Sequence, residues 1–170
     1  ITMANGMQAP CTGTFSVRIF PWNHPEKTIW TKKFTRTVGT GESEFVFHVR
    51  AEKADVWDID HPSLYTAEVI FFSKNGDIRD VSTKRFGFRW FDIGEKDGDQ
   101  RFYLNGRRIV QINAYSWSFW PVNGAYPTRE MAEKEAALAK KLGYNMMSVH
   151  TAIPYSLGLE VADEAGLLFY

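Results

Sequence analysis

The chain has 170 residues, 44% hydrophobic and 24% charged, the proportions of an ordinary globular protein. Lys plus Arg and Asp plus Glu stand at 20 each, so no net field draws nucleic acid or an anionic membrane, and no apolar run reaches the roughly 18 residues of a membrane span. A single cysteine, Cys11, rules out an internal disulfide or a cysteine zinc cage, and the bland reading for it is a buried thiol.

In chain order, residues 1–5 show no basic segment leading into an apolar one, so no leader is visible. The compartment stays open, a periplasmic or extracellular one being compatible with the sequence. Alternation then dominates. Phe15, Val17 and Ile19 fall on one face of a predicted strand, and Phe45, Phe47 and Val49 on one face of another. Residues 28–38 and 66–72 read as two more strands, and Asn75-Gly76 marks a tight turn into a strand over 78–88. With no helical stripe before residue 128, residues 1–93 are predicted to form an immunoglobulin-like antiparallel β-sandwich. Residues 94–100, polar and glycine-bearing, read as the domain boundary.

After that break the period changes. Asn105-Gly106 marks a hairpin turn. Thr128 is placed to N-cap a helix in which Met131, Glu135, Leu138 and Leu142 share a face, filled in by Ala132 and Ala139. Glu130 and Lys134 sit four apart in the favourable order, and Gly143 ends the helix. A strand over 145–149, a helix over 156–165 closed by Gly166, and the start of a third strand at 167–170 follow. Such a succession requires parallel strands with right-handed crossovers. Residues 94–170 are therefore expected to be an incomplete α/β segment, the first βα units of a (β/α)8 barrel.

Several short patterns carry a resemblance that covers nearly the whole chain. Trp57 is followed by His61-Pro62-Ser63-Leu64-Tyr65; Phe86-Gly87-Phe88-Arg89 and Leu104-Asn105-Gly106 come next; Asn145, Asp163, Gly166 and Leu167 close the series. In order and spacing these resemble the motifs of glycoside hydrolase family 2, the β-galactosidase and β-glucuronidase group. The resemblance implies a sandwich joined to a barrel, hydrolysis of β-linked sugars with retention, and two catalytic glutamates from later barrel strands. Departures from the family pattern fall where chemistry would be. Asn113, Tyr115 and Trp117 hold the places of Gly-x-Asn-x-His, and the run from Ser148 to Ile153 replaces Arg-x-Ser-His-Tyr-Pro. Ser148 thus stands for the family's arginine, and His150 lies one place early.

Retaining glycosidases need two carboxyl groups about 5–5.5 Å apart. Glu130, Glu133, Glu135, Glu160, Asp163 and Glu164 all fall on the predicted helices, in solvated or helix-packing roles, so no catalytic residue is assigned within the chain. The segment is instead expected to supply a pocket wall, with Asn113, Tyr115, Trp117, His150 and Thr151 touching the sugar. Phe119 and Trp120 are either part of that wall or a structural wedge, while Asn113 and Ser116 can orient hydroxyls. Asp55, Asp58, Asp60 and His61 lack calcium-loop spacing and read as an exposed acidic edge. No cofactor or metal motif is present. The expected partners are a carbohydrate substrate and the remainder of the barrel, with self-association through the open barrel edge. The alternative is a non-catalytic carbohydrate-binding or interaction module on a hydrolase scaffold; a uronic acid or rhamnose substrate stays open.

Overall fold

A computed structural model describes residues 1–117, 119–120, 122–124, 126–150 and 155–170. The chain divides into two compact units: Ile1–Ala54 with Tyr65–Phe86, and Asp55–Leu64 with Gly87–Tyr170.

Unit 1 is antiparallel throughout. Strands β1 (Thr2–Asn5) and β4 (Gly41–Glu44) pair with each other. Strands β2 (Cys11–Pro21), β3 (Trp30–Val38), β5 (Tyr65–Ser73) and β6 (Arg79–Phe86) form a sheet in the order β3-β2-β5-β6. The alternation in β2 works as expected, with Phe15, Val17 and Ile19 buried. Phe15 lies at the centre of a ring cluster, 5.1 Å from Phe34, 5.3 Å from Phe45 and 4.9 Å from Phe71. Met3 of β1 packs on the same cluster, giving two layers over one core, consistent with a β-sandwich. A fully buried Phe contributes about 1.5–3 kcal/mol, so these few rings carry much of the unit's stability. Cys11 is half-buried at the edge of this cluster.

One expected strand is absent. Residues 45–49 keep the two-residue alternation in exposure but pair in no ladder. Phe45 and Phe47 reach Phe15 and Phe34, and the Phe45 N–H donates to the Ile1 carbonyl while its own carbonyl accepts from the Ile1 ammonium. Sidedness here comes from ring burial alone, which a periodicity cannot tell from a ladder.

Unit 2 opens with a hairpin. Strands β7 (Phe91–Lys96), β8 (Asp99–Leu104) and β9 (Arg107–Ile109) form an antiparallel sheet. Residues 94–100 are therefore the end of one hairpin rather than a linker, with Asp97 and Gly98 at φ 56° and 75° making its turn. The boundary expected between residues 93 and 94 falls within β7. Asn105 and Gly106, at φ 52° and 75°, make the predicted second turn.

The rest of unit 2 is a parallel sheet in the order β10-β11-β12, from β10 (Asn113–Ser116), β11 (Met146–Val149) and β12 (Leu168–Phe169). Helix α1 (Arg129–Lys141) lies between the first two in sequence and α2 (Ser156–Ala165) between the last two. The Met131 N–H donates to Thr128 Oγ1 at 3.3 Å, the expected cap. Lys134 reaches Glu130 at 2.8 Å, and Gly143 and Gly166 follow their helices at positive φ.

The buried face of α1 matches the expected one in part. Ala132 and Ala139 are inside as expected, joined by Ala136, whereas Leu138 and Leu142 are exposed. Small side chains let α1 approach α2 and β11 closely, forming a core with Met147, Val161, Ala162 and Leu167. Leucine marked the wrong stripe because close approach outweighed side-chain hydrophobicity.

Candidate functional site

The family-like motif residues of unit 2 turn out to be its frame. Trp57 is fully buried, and its Nε1 donates to the Asp163 carbonyl at 2.8 Å. The Arg89 guanidinium stacks 4.2 Å from the Trp57 ring and donates to Asp163 Oδ1 at 2.7 Å. Asn105 Nδ2 donates to the Trp57 carbonyl at 2.8 Å, and Asn105 Oδ1 accepts from the Trp90 N–H. Asn145 accepts from the Ile112 N–H at 2.9 Å and donates to the Val110 carbonyl at 2.8 Å, fixing the approach to β10. Gly166 sits where a side chain would collide with the Ile59 carbonyl, which also accepts from Lys140 Nζ.

On that frame, β10 turns alternate side chains to opposite faces. Ala114 packs with Met147 and Phe169 on the helix side, and the buried Ser116 borders the same space. Ser116 is thus turned away from the expected wall. Asn113 and Tyr115 take the other face, across from Met146 and Ser148. Asn113 Nδ2 donates to Ser148 Oγ at 2.7 Å, while the buried Asn113 Oδ1 has no partner among the described residues. Ser148 is 1% exposed and Tyr115 69% exposed, so the face runs from a sealed polar pair to an open phenol.

At the strand ends the His150 N–H donates to the Ser116 carbonyl at 3.1 Å, carrying the parallel ladder past β11. This sets the Trp117 and His150 rings 4.6 Å apart at 58°. Trp117 is 72% exposed, an open ring beside an imidazole. Of the five expected wall residues, Asn113 and Tyr115 lie within β10, Trp117 and His150 meet just beyond the strands, and Thr151 lies outside the described residues. Phe119 is exposed, whereas Trp120 is half-buried and meets Tyr155 edge-on at 5.6 Å. Burial, with Glu135's charge adding to it, pushes the Tyr155 phenol up to about 12.

The helix carboxylates are occupied. Arg129 bridges Glu133 at 3.4 Å, Glu160 at 3.4 Å and Glu164 at 3.0 Å, and Glu164 above all holds its guanidinium pKa above the ordinary value. Lys134 holds Glu130 below the usual carboxylate range. Among the described residues no carboxylate stands on β10 or β11. In the acidic segment Asp58 is half-buried rather than part of an exposed edge, accepting from the Asp60 N–H at 3.2 Å and lying 3.7 Å from Arg107. A cleft of about 630 Å³ opens at the start of the parallel strands, lined by Arg89, Leu104, Met146 and Leu168, away from the Trp117 and His150 rings.

The family model described as Glycosyl hydrolases family 2 matches residues 1–89. A Formosa agariphila protein provisionally named a β-glucuronidase is 31% identical over 115 residues, 68% of this chain and 14% of its own length. A Thermoanaerobacterium thermosulfurigenes β-galactosidase is 28% identical over 158 residues, 92% of this chain and 21% of its own. A solved family 2 glycosyl hydrolase from Bacteroides cellulosilyticus shares the fold, with a TM-score of 0.84 at 23% identity over 99% of this chain and 21% of that one. The chain spans 14–21% of the length of these relatives.

Proposed function

This chain belongs to glycosyl hydrolases family 2, and we propose that it is a segment of a retaining glycosidase, supplying scaffold and one wall of the sugar pocket. In this reading unit 1 is the immunoglobulin-like sandwich, and the parallel β10-β11-β12 sheet of unit 2 with its two helices begins a (β/α)8 barrel. The observation that carries it is the placement of Trp117 and His150 just beyond the C-terminal ends of adjacent parallel strands, where barrel enzymes bind substrate.

Trp117 offers a flat ring to a sugar face, Asn113 and Tyr115 offer polar atoms to hydroxyls, and His150 accepts or donates beside the ring. The acid/base and the nucleophile, about 5–5.5 Å apart in a retaining enzyme, come from sequence outside these 170 residues. The chain alone is expected to release no sugar from chromogenic β-glycosides. A polypeptide extended along its reading frame is expected to do so, and to stop when a carboxylate of its later strands is replaced. Sugar release by the 170-residue chain, lost on replacing one of its own Asp or Glu side chains, overturns the reading.

The burial of Ser148 where the family has an arginine favours a second reading, a non-catalytic carbohydrate-binding module. An extended polypeptide that binds glycosides without cleaving them selects it. In either reading the free edge of β12 takes a further strand, and copies lacking that strand associate through it. A monodisperse monomer by light scattering contradicts the association.

A further inference from the structure

The segment that carries Trp117 off the end of β10 is mostly open. Trp117, Phe119, Val122 and Tyr126 are exposed, and a stretch with few buried contacts holds no side chain in place unless something fixes it. Trp120 differs, half-buried between exposed neighbours. Its N–H donates to the Gly124 carbonyl and its carbonyl accepts from the Gly124 N–H, both at 2.8 Å, so the two residues are tied to each other. The Trp120 ring then meets Tyr155 edge-on, 5.6 Å away, at the start of α2.

Tyr155 stands where helix chemistry asks for another residue. It is the N-cap of α2, a place for Ser, Thr, Asp or Asn, and its side chain makes no cap bond. Gly158 follows in the first turn of the helix, where glycine is less favourable than alanine because it loses more backbone entropy. Both departures have one explanation. A Cβ at Gly158 would lie 2.9 Å from Tyr155 Cζ and 3.0 Å from its Cε2, so a side chain there would push the ring aside. The bare backbone is the seat of the ring.

We propose that Tyr155, seated on Gly158, is a positioning residue of the rim: it clasps Trp120 and so holds Trp117 beside His150. The use of the Trp117 ring against a sugar face rests on the glycosidase reading; the clasp does not. Both ring pairs join the same two segments, the one after β10 and the one leading from β11 into α2. Trp117 and Trp120 are three residues apart, so the segment is fastened at two nearby points. Two fastenings restrict swinging about either one, and a flat ring must be held in this way to present a constant face.

The test is an NMR comparison of the 170-residue chain with its variants. The readout is the set of nuclear Overhauser cross-peaks between the Trp117 indole and the His150 imidazole hydrogens, with Trp117→Phe assigning the indole. The unaltered chain is expected to show them, and Tyr155→Phe, which keeps a ring on the seat, to retain them. Tyr155→Ala is expected to lose them. Gly158→Leu is expected to lose them too, by filling the seat with a residue that favours the helix, which separates the clasp from the stability of α2. Methyl β-D-glucopyranoside is expected to shift the Trp117 indole signal of the unaltered chain and to bind Tyr155→Ala about two- to tenfold more weakly. If the cross-peaks are missing from the unaltered chain, persist in Tyr155→Ala or Gly158→Leu, or vanish in Tyr155→Phe, the inference falls. If they behave as expected and the glucoside moves no Trp117 signal, the clasp stands and the reading of this face as a sugar wall falls.

Discussion

Unit 1 closes its core with rings from three neighbouring strands of one sheet, joined by Phe45 and Phe47 from a segment in no ladder. Unit 2 closes around Trp57, whose partners Arg89, Asn105 and Asp163 come from distant parts of the chain. The first kind of core tolerates the loss of a ladder, as residues 45–49 show, because burial of Phe45 and Phe47 does not depend on backbone pairing. The second kind depends on directed hydrogen bonds, so the Trp57 indole and the Asn105 amide that donate to backbone carbonyls are not replaced by apolar groups of the same size. Polar atoms shielded from water must be paired, whereas an apolar ring needs only an apolar neighbour.

The sharpest way to break this contrast is at the two anchors. Trp57→Ala and Phe15→Ala are each expected to cost about 3–5 kcal/mol in urea unfolding. Trp57→Phe separates them: it keeps a ring but strips the Asp163 carbonyl of its donor, and is expected to cost at least about 1–3 kcal/mol through that lost bond alone. A Trp57→Phe protein as stable as the original would reduce unit 2 to the same kind of core as unit 1.

The α1 face gives the next effect. Ala136→Leu overfills a buried position and is expected to cost about 1–3 kcal/mol. Thr128→Ala removes the helix cap and is expected to cost about 1 kcal/mol by the same measurement. Leu138→Ala, on the exposed side, is expected to stay within about 0.5 kcal/mol. The reverse order for Ala136 and Leu138 would restore the leucine stripe as the packing face.

The smallest effect is alkaline. The Tyr155 phenol ionises near 10.0 when free and at about 12 in the folded chain, because burial and Glu135 disfavour the phenolate. Its folded pKa is raised, so its contribution is whole below about 10 and is lost as pH rises towards 12. Phenolate absorbance of the native protein is expected to show one late-titrating tyrosine that Tyr155→Phe removes.

The β2 alternation, the Asn105-Gly106 turn, the Thr128 cap and both helix-ending glycines were legible because each depends on local backbone preference or on side chains a few residues apart. The β1 and β4 pairing was not, since Thr2–Asn5 and Gly41–Glu44 carry no alternation strong enough to find each other. The α1 face was misread in part because hydrophobicity marks what is buried on average, while helix contact selects for size. For the proposed wall, Asn113, Tyr115, Trp117 and His150 were singled out as following strands, but Asn113 and Tyr115 lie within β10. The bond from Asn113 to Ser148 was not legible, because it joins residues 35 apart in sequence.

By itself, then, the sequence determined the strand and helix periods, the turns and the caps. Those are local properties of covalent geometry and composition. Tertiary structure alone decided that Trp57 would be tied to Asp163, that Leu138 and Leu142 would stay exposed, and that Asn113 would bond Ser148. Each of these depends on the distance between groups far apart in the chain, and no local preference fixes that distance.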